Sequence, residues 1–276
     1  MSYAIKVDGK VKLQDISTTK HNGIEEDDAR EQTGRLGKEL EELQELMFAA
    51  GTHGLLIVLQ GRDTAGKDGT IRGLSRYINI QGCHVKGFKV PTSEELAHDF
   101  LWRVHPHAPA KGLVSIFNRS HYEDVLVVRV HELVPEKVWK KRYDQINEFE
   151  QLLAQNNTII VKICLNISLE EQEKRLMARE EKVAKAWKLS VGDWKEREFA
   201  DAYTEAYNDA LTKCDGDHAP WYIVPADHKW YRDLAVTEIL VETLKPYKDD
   251  WLRDLEARGE EAKAELAAYR QSLETK

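Results

Sequence analysis

Apolar and polar positions alternate along this chain with two periods. Leu36, Leu40, Leu43 and Met47 recur at steps of four and three, which predicts a helix from Thr33. Gly54–Gln60 is a continuous apolar run bounded by glycines, the pattern of a strand buried on both faces. A helical stretch reaching about Asn79 follows, then a strand over Val85–Val90 stopped by Pro91. Ser93–Val104 reads as a helix with Ser93 as N-cap and Glu94 and Glu95 in its first turn. Leu113–Phe117 is a third strand. Pro135 and Glu136 open a long helix with Trp139, Ile146, Phe149 and Leu153 on one face. Thr158–Leu165, rich in β-branched residues, is a fourth strand, and Trp221–Pro225 a short fifth. Residues 168–212 are helical and densely charged, Trp230–Leu244 is helical, and the tail from Asp249 is charged and helix-prone.

Strands alternating with helices predict an α/β fold, a parallel sheet with helices on both faces. Residues 1–32 are polar with weak periodicity and read as an N-terminal extension. The main domain then spans 33–250, with a lid at about 172–200, and 251–276 is a C-terminal helical tail.

Charge and cysteine content narrow the function classes. The net charge of −8 argues against bulk binding to nucleic acid or an anionic membrane, but leaves room for a local basic cleft. Cys83, Cys164 and Cys214 are odd in number and widely spaced, which fits buried thiols better than a disulfide framework or a zinc ribbon. The N-terminal residues lack the apolar core of a signal peptide, and no apolar run nears the roughly 20 residues of a membrane span. A cytoplasmic protein is the expectation.

The sharpest chemical signal follows the first strand. Gly61-Arg62-Asp63-Thr64-Ala65-Gly66-Lys67 matches the Walker A pattern up to its lysine. Glycines let backbone N–H groups turn inward on phosphate oxygens, the lysine reaches the terminal phosphates, and the next helix presents its positive end. A buried strand before and a helix after separate this from an ordinary glycine turn. Asp68 stands where a Ser or Thr would ligate Mg²⁺, and Gly69 follows. Asp63 is therefore the first candidate metal carboxylate and Asp68 the second.

Two further segments carry candidate chemistry. Asn118 and Arg119 end the third strand, where open α/β sheets bind ligands, although a surface turn with a helix N-cap has the same composition. Arg175, Arg179, Lys182 and Lys185 step by four, three and three onto one helix face. They suit a basic lid over a phosphoryl group. The nearby Glu171, Glu173, Glu180 and Glu181 equally suit a solvated, ion-paired helix. His105 and His107 lack further metal ligands nearby and read as structural. Trp187 and Trp194 lie in the proposed lid, where stacking on a base is an option beside a core role.

Three motifs together resemble the polyphosphate kinase 2 family. They are Gly61–Gly69, then Phe117-Asn-Arg-Ser-His-Tyr-Glu-Asp-Val-Leu126, then the Arg-rich stretch ending Lys-Leu-Ser-Val-Gly-Asp-Trp194, and the similarity runs from about Leu36 to Trp251. The resemblance implies a three-layer, thymidylate-kinase-like P-loop fold with a helical lid. It implies phosphoryl transfer between inorganic polyphosphate and a nucleotide, dependent on Mg²⁺ with Mn²⁺ as a second candidate. By the same resemblance Asp63 and Asn118 hold the metal. Lys67, Arg119 and Arg129 bind phosphates, while Arg175 and Arg179 clamp from the lid with Lys182 beside them. The family tends toward dimers or tetramers. Many members carry Asp where Asn118 stands. Glu123 and Asp124 resemble the class III subset, associated with phosphorylating both AMP and ADP, with other purine nucleotides as further candidates. Two alternatives share the motifs: an ATP-dependent nucleoside monophosphate kinase, and a non-catalytic nucleotide-binding switch.

Overall fold

A strand buried on both faces must place alternate residues into two cores. Gly54–Gln60 does so. Leu55, Ile57 and Leu59 enter one apolar cluster, and Leu56 and Val58 enter the other. In the computed structural model, which describes residues 3–181 and 190–274, six strands form one sheet. They are β1 (Ile5–Lys6), β2 (Gly54–Gln60), β3 (Cys83–Gly87), β4 (Val114–Asn118), β5 (Thr158–Asn166) and β6 (Trp221–Pro225), in the order β1-β6-β5-β2-β4-β3. The helices are α1 (Glu26–Ala50), α2 (Lys67–Leu74), α3 (Ser93–Leu96), α4 (Val127–Val130) and α5 (Glu136–Gln155). There follow α6 (Leu169–Glu180), α7 (Val191–Lys195), α8 (Ala200–Lys213), α9 (Lys229–Leu244) and α10 (Lys248–Glu274). Leu40, Leu43 and Met47 of α1 and Leu240, Val241 and Leu244 of α9 pack on one face of the sheet. Trp139, Ile146 and Phe149 of α5 and Ala206, Ala210 and Leu211 of α8 pack on the other. The result is the three-layer α/β arrangement expected.

Several boundaries differ from the expectation. The first residues are not a loose arm: β1 pairs antiparallel with β6, and Val7, Val11 and Leu13 are buried. The sheet is therefore mixed rather than wholly parallel. Helix α1 starts at Glu26, seven residues before Thr33, because its first turn is acidic and solvated and carries no apolar stripe. Thr92, not Ser93, caps α3, in a capping box with Glu95. That helix stops at Leu96, and the Asp99 carboxylate accepts from the N–H groups of Leu101 and Trp102, a local alternative to helical bonding. Strand β3 ends at Gly87 because its neighbour β4 ends opposite it, at Asn118. Finally, α10 begins at Lys248 and runs unbroken through the expected boundary at residue 251, with Trp251 buried against the body.

Candidate active site

Strands β2, β4, β5 and β6 all deliver their carboxyl ends to one edge of the sheet. Here β2 gives way to the P-loop. Gly61 has φ 145°, and a Cβ there would lie 2.6 Å from the Leu165 carbonyl oxygen, so only glycine fits. Gly66 has φ 112°, and Thr64 holds a left-handed φ of 65° between them. Lys67 opens α2, and its Nζ donates to the carbonyls of Gly61 at 2.7 Å and Arg62 at 3.1 Å. Burial, then the Arg119 charge, pushes its ammonium down to about 8 against the pull of Asp63, Glu123 and Asp68.

The loop after β4 faces this one. Asn118 lies level with Leu59 of β2 and Gly87 of β3, and its Nδ2 donates to Asp68 Oδ1 at 2.8 Å. Arg119, at a left-handed φ of 63°, pairs with Asp63 of the P-loop and with Glu123 at 3.2 Å. Glu123, then Asp63, raises the Arg119 guanidinium further above its ordinary range than burial lowers it. One guanidinium therefore ties the two loops together.

Asp63, Asp68 and Asn118 are all oxygen donors on the wall of one crevice. Among the described residues no group of three or more His, Cys, Asp or Glu could hold a metal alone. Two carboxylates and an amide oxygen beside a phosphate loop fit Mg²⁺, which takes few protein ligands and completes its shell with phosphate and water.

The crevice spans about 720 Å³, and among the described residues eight Lys or Arg and two Asp line it, against −8 for the chain. A smaller polar hollow lies beside it, lined by Glu123, Gln172, Arg197 and Tyr203 among others. Asp63 and Arg119 line both.

The polyphosphate kinase 2 (PPK2) family profile matches residues 23–250. The chain belongs to this family. It is 47% identical over 245 residues to an AMP/ADP-polyphosphate phosphotransferase of Meiothermus ruber, covering 88% of this chain and 92% of that one. It is 42% identical to an ADP-polyphosphate phosphotransferase of Rhodopseudomonas palustris, covering 85% and 84%. The crystal structure of polyphosphate kinase 2 from Arthrobacter aurescens superposes with a TM-score of 0.85 at 40% identity, covering 88% of each chain.

Within this polyphosphate kinase 2 framework the expected site residues divide. Asp63, Lys67, Asp68, Asn118, Arg119, Arg175 and Arg179 all line the large crevice. Arg175, however, spends its donors on the protein: on Glu171, on the carbonyls of Thr64 and Ala65, and on those of Ala226 and Asp227. It braces the P-loop backbone. Arg62 leaves the loop for Ala200 and Thr204 on α8. Arg179 pairs with Asp193 at 2.6 Å.

Arg129 and Asp124 line neither hollow. Arg129 pairs with Asp209 at 2.6 Å and lies over Trp139, and Asp124 pairs with Arg142 at 2.7 Å. Burial, more than Arg142 can offset, pushes the Asp124 carboxyl up to about 6. Lys182, Lys185 and Trp187 lie outside the described residues. Trp194 lies under Arg197, whose guanidinium is 5.6 Å from its ring. His107 stacks on His84 and His105 meets the edge of Phe149, consistent with the structural reading of both.

Four crevice cations escaped the sequence reading: Arg72, Lys89, Lys229 and Arg232. Lys89 follows the end of β3, and Lys229 and Arg232 sit in the first turn of α9 after β6. A search of every strand's carboxyl end for cations would have found these three.

Proposed function

We propose that this chain transfers phosphoryl groups between inorganic polyphosphate and adenine nucleotides, taking AMP to ADP and ADP to ATP. The carrying observation is the crevice, lined among the described residues by eight cations and two acids, with four of those cations also paired to acids behind the lining, in a chain of net charge −8. Such a crevice concentrates a polyanion where the rest of the surface repels one. The names of the relatives at 47% and 42% identity supply the donor and the acceptors.

In this reading the end of polyphosphate lies over Lys67 and the P-loop amides. The terminal phosphate of the nucleotide lies where the crevice joins the smaller hollow, so the two meet at Asp63 and Arg119. The terminal phosphate oxygen of the nucleotide attacks the end phosphorus, and the bond to the next bridging oxygen breaks, shortening the chain by one phosphate. That oxygen is already anionic, so no strong base is needed, and catalysis is positioning plus charge neutralisation. Asp63 and Asn118, with Asp68, would hold Mg²⁺, or Mn²⁺ in its place. Bound there, the ion neutralises phosphate charge and fixes geometry. Lys67 and Arg119 hold phosphate oxygens, while Arg175 keeps the loop in shape. Glu123 aims Arg119. The reading also takes a cytoplasmic location and, from the family resemblance, assembly as a dimer or tetramer.

Incubation with Mg²⁺, polyphosphate and either AMP or ADP should yield ADP and ATP, and no product with either acceptor would refute the proposal. Replacing polyphosphate by ATP separates it from a nucleoside monophosphate kinase. Asp63→Asn should lower kcat by about a hundredfold or more and raise the Mg²⁺ concentration needed, as loss of a metal carboxylate does.

A further inference from the structure

The run Thr158-Ile-Ile-Val-Lys-Ile-Cys-Leu-Asn166 places one charge in the middle of a strand buried on both faces. Lys162 is fully buried, and so are its partners. Its Nζ donates to Glu150 Oε2 of α5 at 2.6 Å, to the Tyr122 hydroxyl at 2.9 Å and to the Cys214 carbonyl. The Tyr122 hydroxyl donates onward to Glu150 Oε1 at 2.9 Å, and His121 Nε2 meets the same oxygen at 3.1 Å. Burial would raise the Glu150 carboxyl, but Lys162 and His121 outweigh it and hold it below its ordinary value.

Burying an ion pair gains little stability, because desolvation offsets the attraction, and apolar residues of like volume serve a core as well. What the pair does supply is direction. His121 and Tyr122 open the tight turn His121–Asp124, and both hang from Glu150. The next residue, Glu123, reaches the opposite way, to Arg119. Gln60, buried at the end of β2, holds the front of the turn: its amide, oriented by its neighbours, donates to Glu123 Oε1 at 3.0 Å and accepts from Ser120.

We propose that Lys162 and Glu150 are positioning residues for phosphoryl transfer: through Tyr122 and His121 they fix the turn that sets Glu123, and so Arg119, at the meeting point of the two hollows. This rests on the function proposed above. A guanidinium displaced by about 1 Å costs up to a hundredfold in rate.

Tyr122→Phe removes one hydroxyl from the network and keeps the ring. Its kcat should fall about tenfold, with KM for polyphosphate and nucleotide within about twofold of the wild type. The double variant Glu150→Leu, Lys162→Met removes both charges together. It also strips the Tyr122 hydroxyl, His121 Nε2 and the Cys214 carbonyl of partners, so it should melt several degrees below the wild type, and it should lose about a hundredfold in kcat. Folded variants with wild-type kcat, or with only KM raised, would overturn the proposal and leave the network a core element. If the double variant does not fold, Tyr122→Phe decides alone. The wild-type assay run alongside keeps the two ideas apart: no turnover there refutes the function, whereas turnover unchanged by the substitutions refutes this inference.

Discussion

Lys67 sits beneath the P-loop with its ammonium on the carbonyls of Gly61 and Arg62, and only a protonated lysine can draw a phosphate oxygen there. Burial and Arg119 bring its pKa from the ordinary 10.5 to about 8. Two consequences of opposite sign follow. Between about pH 8 and 10.5 the unfolded chain holds a proton at this site that the folded chain has lost, so this residue's contribution to stability rises with pH across that window. Activity moves the other way. For the free enzyme, kcat/KM for polyphosphate should fall about tenfold per pH unit above about 8. Bound phosphate adds negative charge beside the ammonium, so kcat should hold to a higher pH than kcat/KM. Paired pH–rate profiles check this; a kcat/KM flat to about pH 10 would show that Lys67 is not perturbed.

Helices α6 and α7 flank residues 182–189, and Arg179 of one is paired with Asp193 of the other. Burial, then the nearby Asp63 charge, raises the Asp193 carboxyl, so this acid lies within reach of the site's field. Under the proposed function, a polyphosphate oxygen would compete with Asp193 for the same guanidinium. Asp193→Asn should therefore lower KM for polyphosphate by about two- to fivefold, the scale of a partly exposed ion pair. A raised KM in steady-state kinetics would mean that Asp193 aims Arg179 rather than detaining it. This choice of partner was beyond the sequence. The step of four that placed Arg175 and Arg179 on one face was legible, because helical geometry fixes it. Which oxygens they meet depends on chain far away, Ala226 and Asp227 for one and Asp193 for the other. The same holds for strands. The apolar run of β2 announced itself, and the P-loop with it. The two residues of β1 gave no pattern, since backbone bonds to β6 define them. Glu123 and Asp124 were adjacent letters of one motif. A tight turn sends the first to Arg119 and the second to Arg142, and no periodicity records that divergence.

At the scale of the molecule, charge is segregated. The chain carries 48 acidic and 40 basic residues, yet among the described residues the crevice is lined by eight basic and two acidic ones. Like-charged guanidinium and ammonium groups held at one edge of a sheet repel each other, and part of the folding free energy is held against that repulsion. A bound polyanion relieves it. Short polyphosphate should therefore raise the thermal midpoint, with no nucleotide present. At about 100 times its dissociation constant, a ligand that binds only the folded state adds about 2.7 kcal/mol. In a chain of this size that corresponds to roughly 5–10 °C. Sodium chloride near 1 M shortens the screening length to about 3 Å and should remove most of the gain, whereas screening of the scattered surface charges should shift the ligand-free midpoint far less. Thermal melts with and without tripolyphosphate, at low and high salt, separate these terms. A shift that survives 1 M salt would mean that direct hydrogen bonds from the P-loop amides, rather than the collected field of the crevice, carry the binding.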